Sequence, residues 1–148
     1  MWKNGNETYG HVYRTLIEND LDAIMGGHIM LPSYAKAINP ELKDEDMMPA
    51  TLSPEIMTGL LRDRLGFNGM VVTDASHMVA MTDRMKRSEM LPASINAGCD
   101  MFLSSMIQRR FCYNAWCIQD RIIVKREMTE ALTRILGLKA HLGLNKKS

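Results

Sequence analysis

The feature that most constrains this chain is a short apolar run, Met70-Val71-Val72, set between glycines and a carboxylate. Gly66 and Gly69 punctuate its start, and Thr73-Asp74-Ala75-Ser76-His77 follows at once. Adjacent β-branched residues in so short a run predict a buried strand rather than a helix. Ahead of it, Ser53-Pro54-Glu55 is a helix start: Ser as cap, Pro at the first helical position, Glu at the positive end of the dipole. Ile56, Met57, Leu60, Leu61 and Leu65 fall on one face of that helix, and Gly66 suits a left-handed cap. An earlier strand is predicted at Leu21–Met25, and a later one at Cys99–Leu103. Between the last two strands, a helix capped by Ser88 runs to about Ala97, with Pro92 in or near its first turn and Gly98 as its stop. Strands alternating with helices form βαβ units, which imply a parallel sheet.

The flanks fit the same pattern. Tyr9, Val12, Tyr13, Leu16 and Ile17 have helical spacing over Tyr9–Asn19. A closing helix is predicted from about Thr129 to Leu142, with Leu132, Ile135, Leu136, Lys139 and Leu142 defining its inner side and margin and Gly143 as its stop. Ser33 to Ala50 carries proline and Asn-Pro turn signals and the acidic run Glu41–Asp46, so it reads as a long ordered loop. Asp44, Glu45 and Asp46 read as a solvated charge run.

Asp74 falls where the central strand ends. In parallel α/β sheets and barrels, ligands bind at the carboxyl ends of the strands. Backbone N–H groups and a hydroxyl beside an Asp there favour its ionised form. By position alone the commoner role is a cap on the next helix. His28 lies just past the first strand, after Gly26 and Gly27, where the backbone turns sharply or approaches another group closely. A His in such a place is more often structural than functional.

Composition removes several classes. A net charge of +1 gives no electrostatic case for nucleic acid or an anionic membrane. No run approaches the roughly 18 apolar residues of a membrane span. Met1 to Asn6 lacks the apolar stretch of a signal peptide, so the cytoplasm is the expected compartment. Cys99, Cys112 and Cys117 form no metal-type pair, and neither a metal nor another cofactor is expected. The fourteen methionines read as core filler. With 148 residues, the chain is long enough for one domain but too short for a complete (β/α)₈ barrel of about 250.

Gly66-Phe67-Asn68-Gly69 followed by Val71-Val72-Thr73-Asp74 resembles the nucleophile segment of family 3 glycoside hydrolases, and above all their β-N-acetylhexosaminidase branch. The similarity runs along most of Leu21–Leu103 and resumes at Met128–Leu144. Met25-Gly26-Gly27-His28-Ile29 resembles the end of the family's sixth barrel strand, where a histidine borders the sugar pocket. Ala97-Gly98-Cys99-Asp100-Met101 is similar to the approach to its eighth strand. Thr133-Arg134-Ile135-Leu136 and Leu138-Lys139 match its closing helix. The resemblance implies a partial (β/α)₈ TIM barrel, comprising the last three βα units with parallel strands, in one fragment spanning 1–148.

It also implies roles. Asp74 takes the position of the carboxylate that attacks the anomeric carbon. His28, Ser76, His77 and Met78 take substrate-side positions, although Met78 is equally suited to packing. The family's acid/base resembles a His paired with an Asp on an earlier loop with a Lys-His…Pro-Gly-His signature, and no such signature occurs here. His11 and His141 lie on predicted helices, and His77 does not match that position. A retaining glycosidase needs an ionised nucleophile and a protonated acid about 5–5.5 Å apart. The expected function is therefore the C-terminal part of a hydrolase for terminal β-linked N-acetylhexosamine or β-glucoside. Its expected partners are a carbohydrate substrate and either the missing N-terminal barrel half or further copies of itself. A non-catalytic remnant or interaction fragment is the alternative, and an unrelated small α/β domain is a third reading.

Residues 104–126 break the resemblance. The family continues with two aromatics and an Asn-Asp-Pro turn, whereas Ser104-Ser105-Met106-Ile107-Gln108-Arg109-Arg110 stands here. DNA encoding Phe-Phe-Asn-Asp-Pro-Glu-Glu, read one base late, can give this text. A second such stretch fits Asn114–Ile122, and Phe111-Cys112-Tyr113 between them and Met128 onward keep the family frame. Two compensated frameshifts, in the gene or in its reading, account for both. On that reading Arg109, Arg110 and Arg121 were not selected for their positions.

Overall fold

The computed structural model describes residues 8–75, 78, 85–103 and 122–145. Ser76, His77 and most of the anomalous segment, residues 104–121, lie outside them. Three strands, β1 (Ala23–Gly26), β2 (Met70–Ala75) and β3 (Met101–Leu103), form one sheet in the order β1-β2-β3. Both pairings are parallel. Helix α1 (Tyr9–Glu18) precedes the sheet, α2 (Pro32–Ile38) and α3 (Glu55–Arg64) connect β1 to β2, α4 (Arg87–Ala97) connects β2 to β3, and α5 (Lys125–His141) follows. This is the predicted α/β arrangement of consecutive βα units. Among the described residues, no helix is long and apolar enough to cross a membrane.

The start of α3 is built as its sequence predicts. Ser53 Oγ accepts from Ile56 N–H at 3.4 Å and donates to Glu55 Oε2 at 2.8 Å. The helix winds wide, with Leu65 N–H reaching Leu60 O at 3.0 Å. It closes on Gly66, whose φ of 71° is left-handed. Gly66 N–H then bonds Arg62 O and Phe67 N–H bonds Leu61 O, a nested pair in which each bond spans one residue more than in a Schellman motif, in keeping with the wide winding. Ile56, Met57 and Leu61 turn inward against Ile24, Phe67 and Val71 to make the main core. Each such side chain contributes about 1.5–3 kcal/mol by leaving water. A smaller cluster of Ile95 and Ile123, with Phe102 and Met128 packed against it, joins α4 to α5.

Three local expectations are corrected. Within Ser33–Ala50 the chain is not all loop: Pro32–Ile38 is helical, with Pro32 at its first position, and short 3₁₀ turns form at Asp44–Asp46 and Ala50–Leu52. Pro fixes the helical φ at a site whose N–H needs no partner, which outweighs the turn signals that follow. Pro92 stands inside α4 rather than in its first turn, and it is fully buried. The inner side of α5 is not the Leu132–Leu136 face. Ala131 is buried, whereas Leu132 and Leu136 are 49% and 61% exposed. The helix is turned by Arg134, whose guanidinium reaches in to Asp100 at 3.0 Å.

The two faces of the sheet differ. Ile24, Gly26, Val71 and Thr73 are buried under the helices. Alternation puts Met25, Val72, Asp74, Met101 and Leu103 on the other face. The register aligns Met25 with Val72 and Val72 with Met101 in one row. Met25, Met101 and Leu103 are exposed. No described helix covers this face, which in a closed barrel is the packed interior.

Candidate active site

β2 runs to Ala75, so Asp74 belongs to the last turn of the strand instead of following it. Its side chain is half-buried on the face that no described helix covers. Asp74 Oδ1 accepts from Ala75 N–H at 2.6 Å, and among the described residues no cation pairs with it. The ladder to β3 is irregular just here. Val72 pairs with Met101 and Ala75 with Leu103, so β2 carries one residue more than β3. Leu103 N–H takes Thr73 Oγ1 at 3.3 Å across the irregularity. Bulges of this kind re-aim a side chain and occur often beside active sites. No pattern in the sequence announced it.

His28 is buried beside the same strand end. Its Nε2 lies 3.3 Å from Ala75 O and its Nδ1 lies 2.7 Å from Thr51 Oγ1. A carbonyl only accepts, so Nε2 carries the proton; in the neutral ring Nδ1 is then bare and accepts from the Thr51 hydroxyl. Thr51 is wholly buried, and its carbonyl also accepts from Cys99 Sγ at 3.6 Å. Gly26 makes this approach possible, because a Cβ there would meet Thr51 Cγ2 at 2.9 Å. Sequence reasoning found His28 and the paired glycines but not Thr51, whose only signal was its place at the end of a turn-rich segment.

Met78 is 43% exposed, and its N–H bonds Ala75 O at 3.1 Å, one turn beyond Asp74. Asp74, His28 and Met78 are thus gathered around Ala75. His141 is elsewhere: it lines a cavity of about 950 Å³ at the amino ends of the strands, with Asp22, Asn68, Gly69 and Arg134. His11 lies exposed on α1. Among the described residues, no three His, Cys, Asp or Glu side chains are grouped to hold a metal ion.

The strongest electrostatics are at the amino ends of the strands. Asp100, with a fully buried side chain, accepts from Arg62 at 2.7 Å, from Arg134 at 3.0 Å and from Val71 N–H at 2.7 Å. Arg62 also donates to Phe67 O, Gly69 O and Gly98 O. Burial pulls the Arg62 guanidinium below its usual range, Asp100 opposes that shift, and the like charge of Arg134 adds to it. In barrels this end serves stability and the opposite end serves chemistry.

The chain matches the family model described as "Glycosyl hydrolase family 3 N terminal domain" over residues 4–138. It is 43% identical over 142 residues to a "Beta-N-acetylglucosaminidase/beta-glucosidase" from Cellulomonas fimi, covering 95% of this chain and 25% of that protein. A "Beta-hexosaminidase A" from Pseudoalteromonas piscicida is 32% identical over 132 residues, covering 80% of this chain and 22% of the relative. Among solved structures, "Beta-glucoside phosphorylase BglX" superposes with a TM-score of 0.91 at 38% identity, covering 99% of this chain and 26% of that one. The chain therefore spans about a quarter of the length of the relatives it matches.

Proposed function

The chain belongs to glycosyl hydrolase family 3, and we propose that it carries the nucleophile side of a retaining glycosidase centre for terminal β-linked N-acetylhexosamine or β-glucoside. The observation that carries this is the placement of Asp74: at the carboxyl end of the central strand, on the face that no described helix covers, with one oxygen held by Ala75 N–H. An Asp paired with Arg, as Asp100 is, would have its lone pairs occupied. On this reading Asp74 attacks the anomeric carbon, the glycosidic C–O bond breaks, and the leaving oxygen takes the bonding pair and a proton from a general acid. An incoming nucleophile then opens the glycosyl ester from the opposite face, so the configuration is retained. His28, Ser76, His77 and Met78 border the sugar, Ser76 and His77 on the family resemblance alone.

The described residues place no general acid beside Asp74, and such an acid is worth roughly 10²–10⁴ in rate. The exposed sheet face and the Leu132–Leu136 stripe are where the rest of a barrel, or another copy, would pack. The chain alone is therefore expected to give no measurable turnover of an aryl N-acetyl-β-glucosaminide. The test is a graft: residues of this chain replace the matching segment of the Cellulomonas fimi relative. Turnover that Asp74→Asn abolishes supports the reading. An active graft indifferent to Asp74→Asn overturns it, and a folded, inactive graft favours the non-catalytic remnant.

The similarity to a β-glucoside phosphorylase favours a second reading of the final step, in which inorganic phosphate rather than water attacks the glycosyl ester. Phosphate-dependent release of a glycosyl phosphate from the graft would establish it, and free sugar at an unchanged rate would exclude it.

A further inference from the structure

We propose that His28 and Thr51 form a positioning clamp for Asp74, acting through the peptide groups of Ala75. The proposal rests on the reading of Asp74 as nucleophile and adds how its carboxylate is held. Ala75 is gripped at both polar groups. Its N–H donates to Asp74 Oδ1 at 2.6 Å, and its carbonyl accepts from His28 Nε2 at 3.3 Å and from Met78 N–H at 3.1 Å. The Ala75 carbonyl and N–H lie on neighbouring peptide planes joined at one Cα, and because Ala75 is held in the β region by its pairing with Leu103, fixing one plane restricts the other. His28 thereby sets the direction of the N–H that holds the carboxylate.

The ring itself is fixed from behind. His28 is 4% exposed, and the Thr51 hydroxyl, 2.7 Å away, donates to the Nδ1 that the bond from Nε2 to the Ala75 carbonyl leaves bare. Gly26 allows the Thr51 side chain to come this close. The result is a relay from Thr51 to His28 to Ala75 to Asp74, running from the helix-covered side of the sheet to its open face. Hydrogen bonds that fix the orientation of the supporting ring are what a precisely placed reacting group needs. The bulge between Val72 and Ala75 explains why a clamp is needed, since the ladder to β3 is irregular at this point.

The test uses the full chain and residue-resolved hydrogen exchange. Ala75 N–H reports the Asp74 bond directly. Val71 N–H, held by Asp100 at the other end of the same strand, reports general loosening. His28→Leu is expected to speed exchange at Ala75 by about fivefold, the effect of one lost hydrogen bond, while Val71 is unchanged. His28→Gln, which keeps a donor for the Ala75 carbonyl, is expected to restore most of the protection. In the ¹⁵N-histidine-labelled chain, which has four histidines, His28 is expected to carry its proton on Nε2. Thr51→Val is expected to shift the Nδ1 resonance, and Thr51→Ser to leave it in place. Equal acceleration at Ala75 and Val71, no change at Ala75 in His28→Leu, or a proton on Nδ1 would each overturn the clamp. Labelling of Asp74 by an activated glycosyl donor tests the nucleophile reading separately, so failure of one is distinguishable from failure of the other.

Discussion

Replacing Asp100 by Asn tests whether a buried charge cluster holds the strands in place. The Asp100 side chain is fully buried, while those of Arg62 and Arg134 are 9% and 14% exposed. Asn keeps the shape and one acceptor but removes the charge, leaving the Arg62 guanidinium without its anion and Arg134 with Glu130 alone, at 3.0 Å. Breaking a buried pair by removing one partner costs about 3–5 kcal/mol, and the retained acceptor puts Asp100→Asn at about 3. With a urea slope of about 2 kcal/mol per molar, the unfolding midpoint should fall by about 1.5 M. A domain of this kind has only about 5–15 kcal/mol in all, so the loss is a large share. The assay is urea unfolding of the full chain followed by far-ultraviolet circular dichroism at low protein concentration. Lys36→Ala is the control: it breaks the exposed Lys36–Asp44 pair, 2.6 Å long, and should move the midpoint by no more than about 0.5 M. A shift for Asp100→Asn no larger than that control would refute the reasoning.

Other perturbations probe the rest of the molecule. Gly26→Ala puts a methyl group 2.9 Å from Thr51 Cγ2, so it should destabilise by about 1–3 kcal/mol in the same urea assay. Cys99 is buried, and burial first, with Asp100 adding, pushes its thiol up to about 12 from 9.0. It should react with a thiol reagent at pH 8 only after unfolding, and the native state should lose stability as pH rises from 9.0 towards about 12, because the unfolded thiol ionises first. Fast labelling of native Cys99 would contradict its burial. The uncovered Met25, Met101 and Leu103 face should drive self-association, measured as a concentration-dependent mass by light scattering. A chain that stays monomeric at high concentration would count against an unpartnered apolar surface.

How far the sequence was legible follows from the range of the interactions involved. Strand and helix order was legible because Met70–Val72 and the Ile56–Leu61 face are local patterns, and Gly66 and Gly98 end their helices as predicted, both with left-handed φ. Asp74 and His28 were singled out by local position and by resemblance, and the structure brings both to Ala75. Thr51 was invisible because its partner lies 23 residues away in sequence. The turn of α5 was misread for the same reason. Leu132 and Leu136 promise an apolar inner face, but Arg134 is drawn in by Asp100, a residue 34 positions away. The bulge at Thr73-Asp74 depends on how β3 meets β2, which neither strand encodes alone.

The claim at the centre is that Asp74 forms a bond to the sugar carbon. An activated 2-deoxy-2-fluoroglycosyl fluoride needs no acid to expel its leaving group, so it isolates that step from the missing proton donor. With the grafted chain, peptide mass spectrometry should find one glycosyl adduct on the peptide containing Asp74, and none after Asp74→Asn. An adduct on another residue, or persistence of the adduct in Asp74→Asn, would contradict the account.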